Sequence, residues 1–205
     1  MPKIKICGIT QEKEAGYLNE AGVDYAGFIQ FVPKSKRNIS TETAASIIKR
    51  LHPSIQSVAV TISPTAQQLR SIEAAGFSVI QIHGAISDEL LDSISIPVIK
   101  AFNVTDLSDY ERFHKNRNVI GYIFDAQLPG SGKTFDWSLL DTLPRDEKLM
   151  LLAGGITPEN AVQALFATHA DGLDVSSGVE NENGMGKSYE KILQFVKNVR
   201  SAFPS

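Results

Sequence analysis

Short apolar, β-branched runs alternate along this chain with segments of helical period, from one end to the other. The runs at 3–7, 25–29, 57–61, 79–82, 98–102, 119–124, 149–153 and 172–175 read as strands. Between them, Ala44, Ile47, Ile48 and Leu51 fall at i, i+3, i+4 and i+7, which puts all four on one helix face. Ala66, Leu69 and Ile72 repeat every three residues, and Ile192, Phe195, Val196 and Val199 form a similar stripe near the C-terminus. The punctuation agrees. Ser63-Pro64 and Thr157-Pro158 each read as an N-cap followed by proline at the first helical position. Gly22 and Gly76 stand where helices should end.

Eight strands over 205 residues give about 26 residues per unit, near the lower limit for a closed barrel. The pattern predicts a single (β/α)8 TIM barrel spanning 1–205, a catalytic domain without linkers or low-complexity segments. The fifth unit is the weakest. It has Leu107, Tyr110 and Phe113 at threes but no strong cap, so a short or irregular fifth helix is expected. An open doubly wound sheet is the rival architecture. The count of eight and the lack of a dinucleotide-type glycine fingerprint after the first strand favour the barrel.

Composition narrows the function classes. Twenty Lys and Arg against 23 Asp and Glu leave a net charge of −3, which gives no general field for nucleic acid or acidic membrane. No run approaches the roughly 18 apolar residues of a membrane span. The first ten residues lack the apolar core of a secretory signal. Cys7 is the single cysteine, so neither an intramolecular disulfide nor a multi-thiolate zinc site is available. A cytoplasmic location is the matching expectation. Periodicity alone locates no exposed apolar patch; a monomer is expected, with a homodimer as the alternative.

In such a barrel the residues just past the strand C-termini form the working face. That rule selects Cys7 and Gly8, then Gln30, Phe31 and the loop to Arg37. It goes on to His83 and Gly84, Asp125, Gly154 and Gly155, and Ser176, Ser177 and Gly178. A strand-end cysteine reads equally as a small buried hydrophobe. At a site mouth, though, a thiol needs only modest electrostatic help to act as base or nucleophile. Asp125 ends an apolar run, so it either caps a loop or faces the cavity. Facing it, Asp125 and Cys7 form an acid/base pair. The glycines after the seventh and eighth strands expose backbone N–H groups where these barrels hold phosphate. Arg37 suits bidentate recognition of a carboxylate, against the plainer reading of a solvated basic loop. His83 reads equally as a strand-end histidine or a site residue.

Two segments imitate a phosphate-cradling P-loop, 130–134 (Gly-Ser-Gly-Lys-Thr) and 184–188 (Gly-Met-Gly-Lys-Ser). That motif needs a further glycine upstream, and Gln127 and Asn181 occupy those places. Flexible loops over the barrel mouth explain the glycines better, with Lys133 still within range of a ligand.

Taken in order, these segments resemble the phosphoribosylanthranilate isomerase family of tryptophan biosynthesis over nearly the whole chain. Residues 5–10 (Lys-Ile-Cys-Gly-Ile-Thr) are similar to its opening signature, and 81–84 (Gln-Ile-His-Gly) to its Gln-Leu-His-Gly. Asp125 with 130–137, then 152–155 and 174–180, complete the series. The resemblance implies an Amadori rearrangement of N-(5-phosphoribosyl)anthranilate. It makes Asp125 the general acid, Cys7 the general base and Arg37 the partner of the anthranilate carboxylate. The phosphate falls to the last two strand loops, and no metal or redox cofactor is implied. The chain departs from the family at Lys36 (usually proline), at Ala59 and Thr61 in strand 3, and at Ser188 (commonly aspartate). The strand-3 change alters side chains of that strand and leaves the shape of the anthranilate pocket open. Two other readings remain: another phosphosugar barrel enzyme, such as a metal-dependent epimerase, and a non-catalytic binder of phosphate ligands.

Overall fold

The computed structural model describes residues 1–104, 106–125, 136–142 and 145–204. Its strands are β1 (Lys3–Cys7), β2 (Tyr25–Ile29), β3 (Gln56–Ile62), β4 (Val79–His83), β5 (Val98–Asn103), β6 (Val119–Asp125), β7 (Leu149–Leu152) and β8 (Gly172–Val175). Each pairs in parallel with its sequence neighbours, and β8 returns to β1 with Lys5 opposite Asp174. The sheet is a closed barrel, which excludes the open doubly wound alternative.

The helices are α1 (Glu12–Ala21), α2 (Thr41–Ile48), α3 (Ala66–Ala74), α4 (Asp88–Asp92), α5 (Tyr110–His114), α6 (Ala161–Thr168) and α7 (Tyr189–Ala202). Between β6 and β7 stands a 3-10 segment, Trp137–Thr142. Strand alternation divides the buried residues in two. Val58, Val60, Ile99, Ile123 and Leu151 fill the barrel, whereas Ile4, Ile6, Phe28, Ile80 and Leu173 pack between strands and helices. The predicted stripe of α7 is the buried one: Ile192, Phe195, Val196 and Val199 all face the second cluster.

The fifth unit is short, as its sequence pattern implies, because α5 has only five residues. Aromatic packing compensates for the missing turns. Phe102, Tyr110, Phe113, Tyr122 and Phe124 bring their rings together at centroid spacings of 5.0–6.3 Å. Such pairs contribute about 0.5–1.5 kcal/mol each beyond their buried area.

Two predicted helix starts are displaced. The N-cap of α3 is Thr65, whose hydroxyl accepts from the Gln68 N–H at 3.3 Å, not Ser63. Ser63 instead takes φ +43° and accepts from the Ala85 N–H, joining the β3 and β4 loops. The helix after Thr157-Pro158 begins at Ala161, because the Asn160 side chain accepts from the Thr157 N–H and holds a preceding turn. Gly22 caps α1 in the left-handed region as expected, while α3 stops at Ala74, one residue short of its cap at Ala75, with Gly76 next.

Candidate active site

A cavity of about 400 Å³ opens at the C-terminal mouth of the barrel. Cys7, the last residue of β1, lines it and is 8% exposed. Asp125, the last residue of β6, lines it from another part of the wall. Arg37, His83, Gly154, Gly155, Ser176 and Ser177 share the same wall. The barrel therefore gathers residues that the sequence scatters over 170 positions. His83 and Asp125 belong to their strands, whereas the sequence reading sets them just beyond. The expected ligand loop at 130–134, with Lys133, lies outside the described residues.

The β7 and β8 loops are built around glycine. Gly154 and Gly155 take φ +84° and +67°, the left-handed region that side chains disfavour. Gly178 does not line the cavity. A Cβ there would lie 2.2 Å from the Ile156 carbonyl oxygen, so its bare backbone lets the two loops meet. A short 3-10 turn, Ser177–Val179, starts at that junction.

Arg37 arrives from the loop between β2 and α2. Phe31 enters this loop at φ +61°, and Asn38 accepts from the Val32 N–H at 2.8 Å to close it. The stem of Arg37 lies over Gly8, where a Cβ would come within 2.5 Å of Cδ. Its Nε donates to Oε1 of Glu180 at 2.5 Å. Lys36 and Lys187 reach the same carboxylate at 3.0 and 3.4 Å. Burial opposes the charge of Glu180, but Arg37, Lys187 and Lys36 prevail and hold its pKa down to about 2.

The sequence reading missed several polar residues that frame Cys7. Lys5 is fully buried and donates to Asp174 at 2.9 Å. Removing one partner of so buried a pair costs about 3–5 kcal/mol. Lys187, inside the second P-loop imitation, is 1% exposed and donates to the Ser176 carbonyl at 3.0 Å. It is spent on holding the β8 loop. Ser176 in turn donates from Oγ to the Cys7 carbonyl at 2.9 Å. Burial pushes the Cys7 thiol up; Lys5 and Lys187 pull it back, Asp174 adds to the rise, and the thiol ends above its ordinary value. Period two was the available signal for Lys5, since it shares the strand face of Cys7.

On β4, His83 faces Gln81 at 2.8 Å between ring Nε2 and amide Nε2. Burial, then the cations Lys100 and Lys5, push the His83 pKa down to about 3, so the imidazole is neutral at physiological pH. The buried oxygens Gln81 Oε1 and Asp174 Oδ1 have no hydrogen-bond partner among the described residues, and both residues line the cavity. They are acceptors a ligand can satisfy.

The strand-3 departure at Ala59 and Thr61 lies away from the cavity wall. Ala59 packs in the cluster between strands and helices, and Thr61 shares that side. Val60 and Ile62 form the wall. Ser188 is the N-cap of α7 and accepts from the Lys191 N–H, a task aspartate also performs.

A closed parallel barrel with polar residues converging at its C-terminal mouth defines a (β/α)8-barrel enzyme. Residues 4–198 match the family described as N-(5'phosphoribosyl)anthranilate (PRA) isomerase, and the chain belongs to that family. The N-(5'-phosphoribosyl)anthranilate isomerase of Geotalea uraniireducens is 38% identical over 207 residues, covering 98% of this chain and 99% of that protein. The one from Streptococcus mutans is 35% identical, covering 98% and 100%. The crystal structure of phosphoribosyl anthranilate isomerase from Thermotoga maritima superposes with a TM-score of 0.85 at 36% identity, covering 98% of this chain and all of that one. A family structure in complex with reduced 1-(o-carboxyphenylamino)-1-deoxyribulose 5-phosphate superposes at 0.81 with 34% identity, covering 98% and 100%.

Proposed function

We propose that this chain converts N-(5-phosphoribosyl)anthranilate to 1-(2-carboxyphenylamino)-1-deoxyribulose 5-phosphate, the isomerase step of tryptophan biosynthesis. The observation that carries the reading is one cavity lined by Cys7, Asp125 and the glycine loops after β7 and β8. The compound bound in the related structure carries a phosphate and a carboxylate. Gly154, Gly155, Ser176 and Ser177 are the proposed phosphate cradle, with Gly178 packing the two loops together behind it, and Arg37 is the proposed carboxylate partner.

Asp125, as general acid, gives its proton to the furanose ring oxygen. The C1–O bond breaks and the ring opens to a Schiff base. Cys7, as thiolate, removes the C2 proton and becomes a thiol. The enolamine then tautomerises to the ketone. Positioned proton transfer of this kind is worth roughly 10²–10⁴-fold per group. His83, being neutral, serves as a hydrogen-bonding wall and not as a proton carrier.

A non-catalytic binder of phosphate ligands needs neither Cys7 nor Asp125 at the cavity. An epimerase of similar fold needs a metal or another acid/base pair. The test is the fall in substrate fluorescence on adding purified protein in the presence of a chelator. Turnover under those conditions supports the isomerase reading, and turnover only with added metal supports the epimerase.

The same reading includes a cytoplasmic location and a monomer, with a homodimer as alternative. Among the described residues no helix is long and apolar enough to cross a membrane. Light scattering on the eluted protein decides between the two oligomeric states.

A further inference from the structure

Cys7 must ionise to take a proton, yet it is buried, and burial disfavours a thiolate. The groups around it are unequally disposed. Lys187 reaches it from the β8 loop but is spent on Ser176 and Glu180. Arg37 lies over the neighbouring Gly8 and is bound to Glu180. Asp174 faces it from β8 as an anion, while His83 and Asp125 line the cavity from β4 and β6.

Lys5 differs from all of these. It stands two residues before Cys7 on β1, so both side chains point into the barrel. A Cβ on Gly27 of β2 would lie 3.0 Å from Lys5 Nζ and 3.0 Å from Cys7 Sγ. Ammonium and sulfur thus flank a single point, no further apart than twice that distance. Gly27 is paired with Cys7 in register, and its lack of a side chain keeps this space open. Lys5 does not line the cavity and is 0% exposed, so it touches no substrate. Its bond to Asp174 Oδ2 fixes the ammonium beside the sulfur.

We propose that Lys5, anchored by Asp174, is a positioning residue that supplies the counter-charge for the Cys7 thiolate. The inference rests on the reading of Cys7 as the base. It accounts for a fully buried lysine inside a barrel that the other strands fill mostly with apolar side chains. Burial opposes the charge of Lys5, but Asp174 and Cys7 more than offset this and raise its pKa, which favours the ammonium form.

Because Cys7 is the single cysteine, alkylation of the protein reports on it alone. The rate of iodoacetamide modification is followed against pH by mass spectrometry in wild type, Lys5→Met and Lys5→Gln. Lys5→Gln keeps a donor on Asp174 and is the variant read if Lys5→Met does not fold. The expected result is alkylation about tenfold slower at neutral pH, with its midpoint moved up by about one pH unit. The alkaline rise of kcat should move in parallel while KM changes less than about twofold. Folded variants whose alkylation and kcat profiles coincide with wild type overturn the proposal. The base reading fails separately, through a Cys7→Ala enzyme that keeps wild-type turnover.

Discussion

Arg37 and Glu180, 143 residues apart in the chain, are joined by a hydrogen bond from Nε to Oε1. The bond ties the loop after β2 to the loop after β8, on either side of Cys7 and its strand β1. It also fixes which edge of the guanidinium is spent, since Nε is committed and the terminal amino groups are left for a ligand. A Glu180→Gln enzyme should therefore bind substrate less well while its chemistry is nearly intact. We expect KM to rise roughly tenfold, about 1.4 kcal/mol, with kcat within about threefold of wild type. Steady-state kinetics check this, and an unchanged KM removes Glu180 from the positioning of Arg37.

The same carboxylate gives a stability prediction. Its folded-state pKa is depressed to about 2, below the ordinary 4.5. A depressed carboxylate contributes stability above its unfolded value and loses it as pH falls through the folded one. Urea unfolding of wild type and Glu180→Gln should thus differ by a constant amount above roughly pH 5, and converge as pH falls toward about 2. Parallel curves down to that pH contradict the assignment.

Gly178 offers a steric test. A methyl group there meets the Ile156 carbonyl at 2.2 Å, so one of the two loops must move. Gly178→Ala should lose about 1–3 kcal/mol of stability, the usual range for overpacking. Inhibition by inorganic phosphate should weaken with it, if the β7 and β8 loops hold the phosphate. Thermal melting and phosphate inhibition measure the two effects independently.

His83 is neutral well below physiological pH. Its replacement by Gln should raise KM but leave the shape of the kcat profile between roughly pH 5.5 and 8 unaltered. A histidine-like step near its ordinary value of 6.5 that disappears in His83→Gln would make it a proton carrier after all.

Much of this was legible in the sequence because it is local. The strands, the α7 stripe and the weak fifth unit follow from periodicity within a few residues. So does the position of Cys7, His83 and Asp125 at strand ends. The misplaced helix starts at Ser63 and Thr157 show the limit of local signals. Thr157 accepts a local turn bond from the Glu159 N–H that a cap motif imitates, whereas Ser63 accepts from the Ala85 N–H of the next loop, a partner outside any short window. The orientation of Ala59 and Thr61 depends on strand register, and one position decides whether a side chain meets helices or cavity. The union of Arg37 with Glu180 and of Lys5 with Asp174 depends on barrel closure, which no short window contains.

The division of labour between Cys7 and Asp125 is the central claim, and turnover of phosphoribosylanthranilate by Cys7→Ala and Asp125→Asn tests it most directly. Each variant should fold as wild type and lose about 10²–10⁴-fold in kcat. Near-wild-type kcat in both variants would contradict the assignment of acid and base.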